Sequence, residues 1–295
     1  MNYKLFAESI VENRPDIIAA YGYGSAFVHQ SGYSYNTKKS LDLIFVVDDI
    51  KKWNNKNFKV NRDDYTKYSK TIFKLTPKHL LKSGTGIIYN VITNKYELDF
   101  KYGLIEPKNF IDDLYNWKHF YISGRFQKPV YTIKSNDIFD NAIKFNRKIS
   151  LLAALIILNK EFLTIDELLE QICKLSYQGD IRNLFVENPN KVHNIVKGSL
   201  EALKEIYCNN EYLTVIDNYV HVDLSKVYED SRFLPRAFTK KFNGNYDEYG
   251  HMIEKTFIKK NLKESIEHPV KQLYVSGLST SKTYLNEKIK KKNIK

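Results

Sequence analysis

The chain has 295 residues, of which 43 % are hydrophobic and 27 % charged, with 22 Tyr and 17 Phe. That content excludes a disordered chain and suffices for two units with their own cores, or one core with large additions. A formal net charge of +12 implies an anionic partner (nucleic acid, nucleotide or acidic lipid) without choosing among them.

In chain order, the N-terminal residues Met1 to Glu8 lack an apolar signal core or an Arg/Ser-rich transit character. Residues 17–24, Ile-Ile-Ala-Ala-Tyr-Gly-Tyr-Gly, predict a short buried strand running into a glycine turn. Ser25 to Ser40 is polar and reads as a loop or short helix. Leu41 to Val47 is a second strand, interrupted only by Asp42. Gly86 to Thr93 and Tyr96 to Ile105 predict a hairpin across Asn94-Lys95.

Past residue 134 the texture changes. Asp137 to Leu158 has helical periodicity, with Ile138, Ala142, Ile149, Leu152 and Ile156 on one side. Thr164 to Glu167 is a capping box that starts an amphipathic helix through Leu175. Lys191 to Tyr207 predicts a third helix, and Tyr212 to Val222 a hairpin. Three helices and a hairpin suit a winged-helix arrangement, and a general helical bundle almost as well. The expected fold class is α+β: a domain with a mixed sheet over 1–134, a winged-helix-like domain over 135–225 and a C-terminal region over 226–295.

The longest apolar run, Leu151 to Leu158, is far shorter than the roughly 20 residues of a spanning helix. A membrane role is therefore expected to be peripheral. The tail from Ser281 to Lys295, with six lysines and one glutamate, reads either as a solvated end or as an electrostatic anchor on an anionic surface. Cys173 and Cys208 are isolated and form neither a disulfide framework nor a metal knuckle, which suits a reducing compartment. The seven histidines show no zinc spacing, and Trp53 and Trp117 suit packing better than base stacking.

Chemistry concentrates at Tyr23-Gly24-Ser25 and Asp42. Nucleotidyl transfer needs close backbone approach to a triphosphate, a carboxylate that holds Mg²⁺ against it, and cations to take up charge on the leaving pyrophosphate. A Gly-Ser turn on one strand with an Asp on its neighbour matches the polymerase-beta-like nucleotidyltransferases. Their usual Asp-x-Asp is single here, because position 44 is Ile. Asp42 reads as a metal ligand or as a structural hydrogen-bonded acid, and Ser25 as a phosphate contact or a helix cap. Lys101 ends an alternating strand and either faces the triphosphate or is solvated. Asp99, two residues earlier and on the same face, reads as a second metal ligand or as a surface acid. Arg125 and Lys128 flank a turn judged too polar to be core and suit phosphate. Asp180 and Arg182 follow Gly179 and either bind nucleotide or head group or pair with each other.

Tyr23-Gly24-Ser25, Leu41 to Phe45, Trp53 with Asn57, Lys101-Tyr102-Gly103 and Asn116-Trp117 resemble the mitochondrial-type phosphatidate cytidylyltransferases. Tyr121 to Val130, Leu175 to Arg182 and Lys191 to Lys197 continue the likeness in the same order, from about residue 20 to about 200. The resemblance implies a nucleotidyltransferase domain, a winged-helix-like domain and a membrane-associating C-terminal segment. It also implies CTP and phosphatidic acid as substrates, CDP-diacylglycerol and pyrophosphate as products, and Mg²⁺ as cofactor, in cardiolipin and phosphatidylglycerol synthesis. Asp42 and Lys101 are then catalytic, with Asp42 as metal ligand. Tyr23, Gly24, Ser25, Arg125, Lys128, Asp180 and Arg182 bind nucleotide. The family's acid is also single, so Ile44 agrees with it. Ala26, where the family usually has Gly, and the short C-terminal region depart from it. A phosphate monoester, with a second pKa near 6, arrives largely anionic and needs positioning and charge neutralisation more than a general base. Transfer to RNA or to a small hydroxylated molecule is the nearest alternative. A nucleic-acid-binding winged-helix protein is disfavoured, since it leaves the Gly-Ser turn and Asp42 unexplained. Oligomeric state is left open.

Overall fold

The computed structural model describes residues 2–29, 31, 40–65, 76, 84–93, 96, 98–181 and 189–276, the last stretch from 268 as backbone. Helix α1 (Tyr3–Glu12) precedes strands β1 (Ala19–Tyr23) and β2 (Leu41–Val46), helix α2 (Ile50–Val60), and strands β3 (Ile88–Ile92) and β4 (Phe100–Ile105). Helices α3 (Pro107–Asn116) and α4 (Ser123–Phe126) lead to strand β5 (Tyr131–Lys134). The five strands form a mixed sheet in the order β3-β4-β2-β1-β5, in which only β2 and β4 are parallel.

Alternation along the strands gives the sheet two apolar faces. Leu41, Leu43, Phe45, Phe100, Tyr102 and Leu104 share one core with Ala7 and Ile10 of α1 and Trp53 of α2. Tyr21, Ile44, Val46 and Ile105 share the other with Phe110 and Leu114 of α3, Phe126 of α4 and Phe139. Beneath the first face lies a buried polar network. The Arg14 guanidinium forks onto Asp64 at 2.8 and 3.1 Å, and the Tyr102 hydroxyl donates to the same carboxylate at 2.7 Å. Asn57 reaches Asp64, Tyr65 and Tyr102. Every member has a partner, the condition for polar groups in a core.

The rest is mainly helical. Helix α5 (Asp137–Leu158) spans the predicted residues: Asn136 caps its N-terminus, and Asn159 ends it in the left-handed conformation. Strand β6 (Phe162–Thr164) leads into α6 (Ile165–Lys174), whose first turn is capped by Thr164 through the Glu167 N–H. The helix expected over Lys191 to Tyr207 is instead two, α7 (Lys191–Gly198) and α8 (Leu200–Tyr207). Gly198 and Ser199 are poor helix formers, and the Ser199 hydroxyl donates to the His29 carbonyl at 2.9 Å, holding the break in place. Hairpin β7 (Leu213–Ile216) and β8 (Tyr219–Val222) takes β6 onto its free side. The earlier hairpin also forms, but β4 begins only at Phe100, so its connection is longer than Asn94-Lys95. Helices α9 (Leu224–Glu229), α10 (Arg236–Thr239) and α11 (Tyr246–Ser276) follow. Tyr249, Ile253 and Phe257 of α11 join Phe238, Trp117, Phe120 and the apolar side of α5 in the largest core. No helix among the described residues is long and apolar enough to cross a membrane. The tail from Ser281 lies outside the described residues.

One buried carboxylate shapes the connection from α3 to α4. Asp113 accepts the backbone N–H groups of His119 (2.7 Å), Phe120 (2.9 Å), Ile122 (2.7 Å) and Ser123 (3.1 Å), and the Ser123 hydroxyl. Within this turn Trp117 and Phe120 take positive φ, 47° and 56°. That costs each side chain roughly 1–2 kcal/mol, offset by their burial and by the Asp113 bonds. Asp113→Asn, which keeps the shape but replaces one acceptor oxygen with a donor, is expected to destabilise the chain by on the order of 3 kcal/mol. Urea denaturation should show it as a lower midpoint with an unchanged slope.

Candidate active site

Strand register assembles the first half of the site. Tyr23 pairs with Asp42 across β1 and β2, and Asp42 pairs with Lys101 across β2 and β4. Directly paired residues point to the same face, so the three side chains form a row at one end of the sheet, beyond the core of α3 and α4. Lys101 Nζ lies 3.2 Å from Asp42 Oδ1. Gly24 follows Tyr23 with φ +78°, and a Cβ there would stand 3.1 Å from Asp42 Oδ2. The missing side chain thus keeps the second carboxylate oxygen accessible and permits the turn. The N–H groups of Phe27 and Val28 both bond to the Gly24 carbonyl, closing a tight turn around Ser25. Ala26 fits that turn without a left-handed backbone and packs against the apolar core of the opposite face.

Two other glycines make room for aromatic rings. A Cβ on Gly22 would meet the Phe27 ring at 2.7 Å, and one on Gly103 would meet Ile87 at 2.5 Å and Tyr89 at 2.9 Å. Tyr89 therefore reaches over β4. Its hydroxyl sits 3.0 Å from the Tyr23 hydroxyl, and Lys101 Nζ lies 5.5 Å from its ring centre. Lys101, Tyr102 and Gly103 thus do three separate jobs: pairing with Asp42, closing the buried network, and admitting Tyr89.

The second half comes from α4. The segment holding Arg125 and Lys128 is not the polar turn expected from its composition: Ser123, Phe126 and Gln127 have no exposed surface. The helical turn sinks these residues because Asp113 satisfies its backbone. Arg125 stacks on Tyr121, 3.7 Å from the ring centre, donates to the Tyr121 carbonyl, and lies 5.5 Å from the Tyr23 ring. Its Nε is buried without a hydrogen-bond partner among the described residues. Burial opposes the guanidinium charge, but the phenols of Tyr121, Tyr89 and Tyr23 more than offset it and hold the pKa above its ordinary value. Burial likewise raises the Tyr23 phenol, which also lies within the fields of Lys101, Asp42 and Arg125. One phenol thus senses both halves of the site.

Lys128 extends the cationic wall. Its ammonium donates to the Gly124 carbonyl and, at 2.7 Å, to the Ser176 hydroxyl. A Cβ on Gly124 would stand 2.9 Å from Ser176, so this glycine permits the contact between α4 and the turn after α6. Tyr177 lies 5.2 Å from Lys128 Nζ and 5.1 Å from Lys191 Nζ. Helix α11 holds that turn from behind. Gln178 donates to Glu254, Asn261 donates to the Leu175 and Gln178 carbonyls, and a Cβ on Gly179 (φ +76°) would strike the Ile258 backbone.

Tyr23, Gly24, Ser25, Asp42 and Lys101 are therefore adjacent, with Arg125 at Tyr23 and Lys128 next along the wall. Asp180 is buried in the turn closed by α11, and Arg182 lies outside the described residues. Tyr89, Tyr121, Ser176, Tyr177 and Lys191 were not singled out from the sequence as site residues. Tyr121, Ser176, Tyr177 and Lys191 lie within the stretches that carry the family resemblance, which was the signal available for them. The observed pairing of Tyr89 with Gly103 differs from the register of a turn at Asn94-Lys95, so Tyr89 had none. The donor set suits Mg²⁺ in part: Asp42 offers one accessible oxygen, and no group of three His, Cys, Asp or Glu gathers among the described residues. Mg²⁺ commonly binds through one or two carboxylates with substrate phosphates and water.

Burial pulls the Lys128 ammonium from 10.5 down to about 7, with Arg125 and Lys191 adding to the effect. Between those values the unfolded chain holds a proton that the folded chain lacks, so this residue's contribution to stability rises with pH across that window. The wild-type stability minus that of Lys128→Met is expected to rise by up to about 1.4 kcal/mol per pH unit from pH 7 to 10. Parallel denaturant titrations measure it, and a flat difference rejects the buried-amine reading.

A family model described as mitochondrial phosphatidate cytidylyltransferase matches residues 7–244. Proteins named mitochondrial phosphatidate cytidylyltransferase are similar to this chain: one from Dictyostelium discoideum is 33 % identical over 70 % of the chain and 53 % of its own length. One from Schizosaccharomyces pombe is 37 % identical over 65 % of the chain and 49 % of its length, and one from Danio rerio 34 % over 70 % and 62 %. The chain thus spans about half the length of the first two relatives and 62 % of the third.

Proposed function

The chain belongs to the mitochondrial phosphatidate cytidylyltransferase family, and on that premise we propose that it transfers CMP from CTP to phosphatidate, giving CDP-diacylglycerol and pyrophosphate. The observation that carries this reading is the row Tyr23, Asp42 and Lys101 facing the Arg125 and Lys128 wall: one carboxylate among the cations Lys101, Arg125 and Lys191, with the Lys128 amine beside them. Such a balance suits two phosphate-bearing substrates. The sheet and α4 would form the nucleotidyltransferase unit, and α5 to β8 a winged-helix-like unit.

In this reading a phosphatidate oxygen attacks the α-phosphorus of CTP and the bond to the β-phosphate breaks, releasing pyrophosphate. The Gly24-Ser25 turn lets the triphosphate approach the backbone. Lys101 holds Asp42 in position, and the charge of Arg125, locked by Tyr121, neutralises phosphate charge. Asp42 would hold Mg²⁺ together with the triphosphate, and the ion would neutralise charge on it. No general base is needed, because the attacking phosphate is already largely anionic.

The surface of α11 supports work at a membrane. Ile258, Leu262 and Ile266 are 44, 42 and 50 % exposed and fall one turn apart, with exposed Lys255, Lys259 and Lys263 beside them. An apolar stripe edged by lysines suits an anionic lipid interface. In this reading the membrane-facing surface lies partly ahead of the lysine-rich tail, and attachment is peripheral.

Labelled CTP and phosphatidate in mixed micelles with Mg²⁺ should yield labelled lipid, and Asp42→Ala should lower its rate by on the order of 10²–10³ or more. Wild type that binds CTP yet makes no lipid product moves the reading to another acceptor. Reversing Lys255, Lys259 and Lys263 to Glu should weaken binding to anionic vesicles by about 1 kcal/mol per lysine removed while activity in detergent persists. Unchanged vesicle binding rejects this surface as the membrane contact.

A further inference from the structure

An open cleft of about 520 Å³ lies on the other side of the segment that carries Arg125 and Lys128, between α5, α8 and the Pro129-Val130 stretch. Lys144, Arg147 and Lys148 line it from α5, at the spacing that puts them on one helix face. Lys148 is already paired, 2.9 Å from Glu211 and 3.9 Å from Asp230. Arg147 has no ion pair among the described residues, and its one hydrogen bond runs from Nε to the Phe126 carbonyl at 3.3 Å. Lys144 likewise has no ion pair there and is exposed. The one acid lining the cleft is Glu205, exposed on α8.

A largely enclosed guanidinium without a direct ion pair is costly to hold. Burial pulls the Arg147 pKa below its ordinary value, which Tyr207 and Asp140 only partly oppose. A planar fork with its outer nitrogens unused, flanked by a second free cation, matches the oxygens of a phosphate. We propose that this cleft binds a phosphate group, carried by an anionic phospholipid head group or by a soluble phosphate ester, at a site separate from that of Asp42. Val130 and Ile206 give the cleft an apolar flank for the remainder of the ligand. Arg147 and Tyr207 also hold the Phe126 and Gln127 carbonyls, so the cleft and the candidate active site share one wall. The inference does not rest on the phosphatidate reading.

The test uses the full chain, inorganic phosphate as the calorimetric probe, and flotation with phosphatidylcholine vesicles with and without phosphatidylglycerol. Lys101→Ala, which weakens the first site, should leave one phosphate bound. Arg147→Gln and Lys144→Glu should each weaken that phosphate by at least roughly tenfold, the scale of one charge-assisted hydrogen bond. Circular dichroism checks folding; if Arg147→Gln is unfolded, the exposed Lys144→Glu carries the test. A fall in both phosphate and vesicle binding assigns a lipid head group, and a fall in phosphate binding alone assigns a soluble ester. Phosphate affinity unchanged in the cleft variants overturns the proposal, as does a single bound phosphate that Lys101→Ala abolishes.

Discussion

The carboxylate of Asp113 is the constraint on which the site depends. A buried, unpaired carboxylate would be untenable, and here four backbone N–H groups and a hydroxyl close on it. That closure forces the chain through two left-handed residues and delivers α4 as a single buried turn. Arg125 then stacks on Tyr121 beside Tyr23, and Gly124 meets Ser176. One acid in the core thus positions cations about a dozen residues later in the chain.

The site's electrostatics follow from where those cations stop. Asp42 is the one carboxylate in the row, and Lys101 Nζ stands 3.2 Å from its Oδ1. The fixed positive charge is carried by Arg125, which is clamped by phenols and cannot relax away, while the Lys128 amine beside it is tethered to a carbonyl and a serine. Fixed charge of this kind is worth more to a phosphate than the same charge on solvated lysines, because no reorganisation is needed when the ligand arrives.

The helical half supports the same turn from two directions. Helix α11 packs on Gly179 and holds Gln178, keeping Ser176 and Tyr177 facing Lys128. Helices α5 and α8 hold the carbonyls of Phe126 and Gln127 from the opposite side. The loop after the Gly24 turn also reaches α7, where the Ser31 N–H meets the Asn194 carbonyl and Ser199 meets that of His29. Sheet and helices are therefore joined at the site.

Much of this was legible in the amino-acid order. Local pattern located β1, β2, both hairpins and helix α5, and the Gly24, Asp42 and Lys101 spacing marked the first half of the site, because period-two alternation and glycine turns are properties of a few neighbouring residues. The burial of the Arg125 turn, the break at Ser199, the Arg14 and Asp64 network under Tyr102, and the aromatic wall of Tyr89 and Tyr121 were not legible. Each rests on partners distant in the chain: Asp113 for the turn, His29 for the break, Asp64 for Arg14, and Gly103 for Tyr89. The sequence by itself determined which residue types were available for phosphate chemistry and which strands carried them. Tertiary structure alone decided that a polar turn would be core and that its arginine would face Tyr23, because a polar segment goes inside only when a distant group satisfies its backbone.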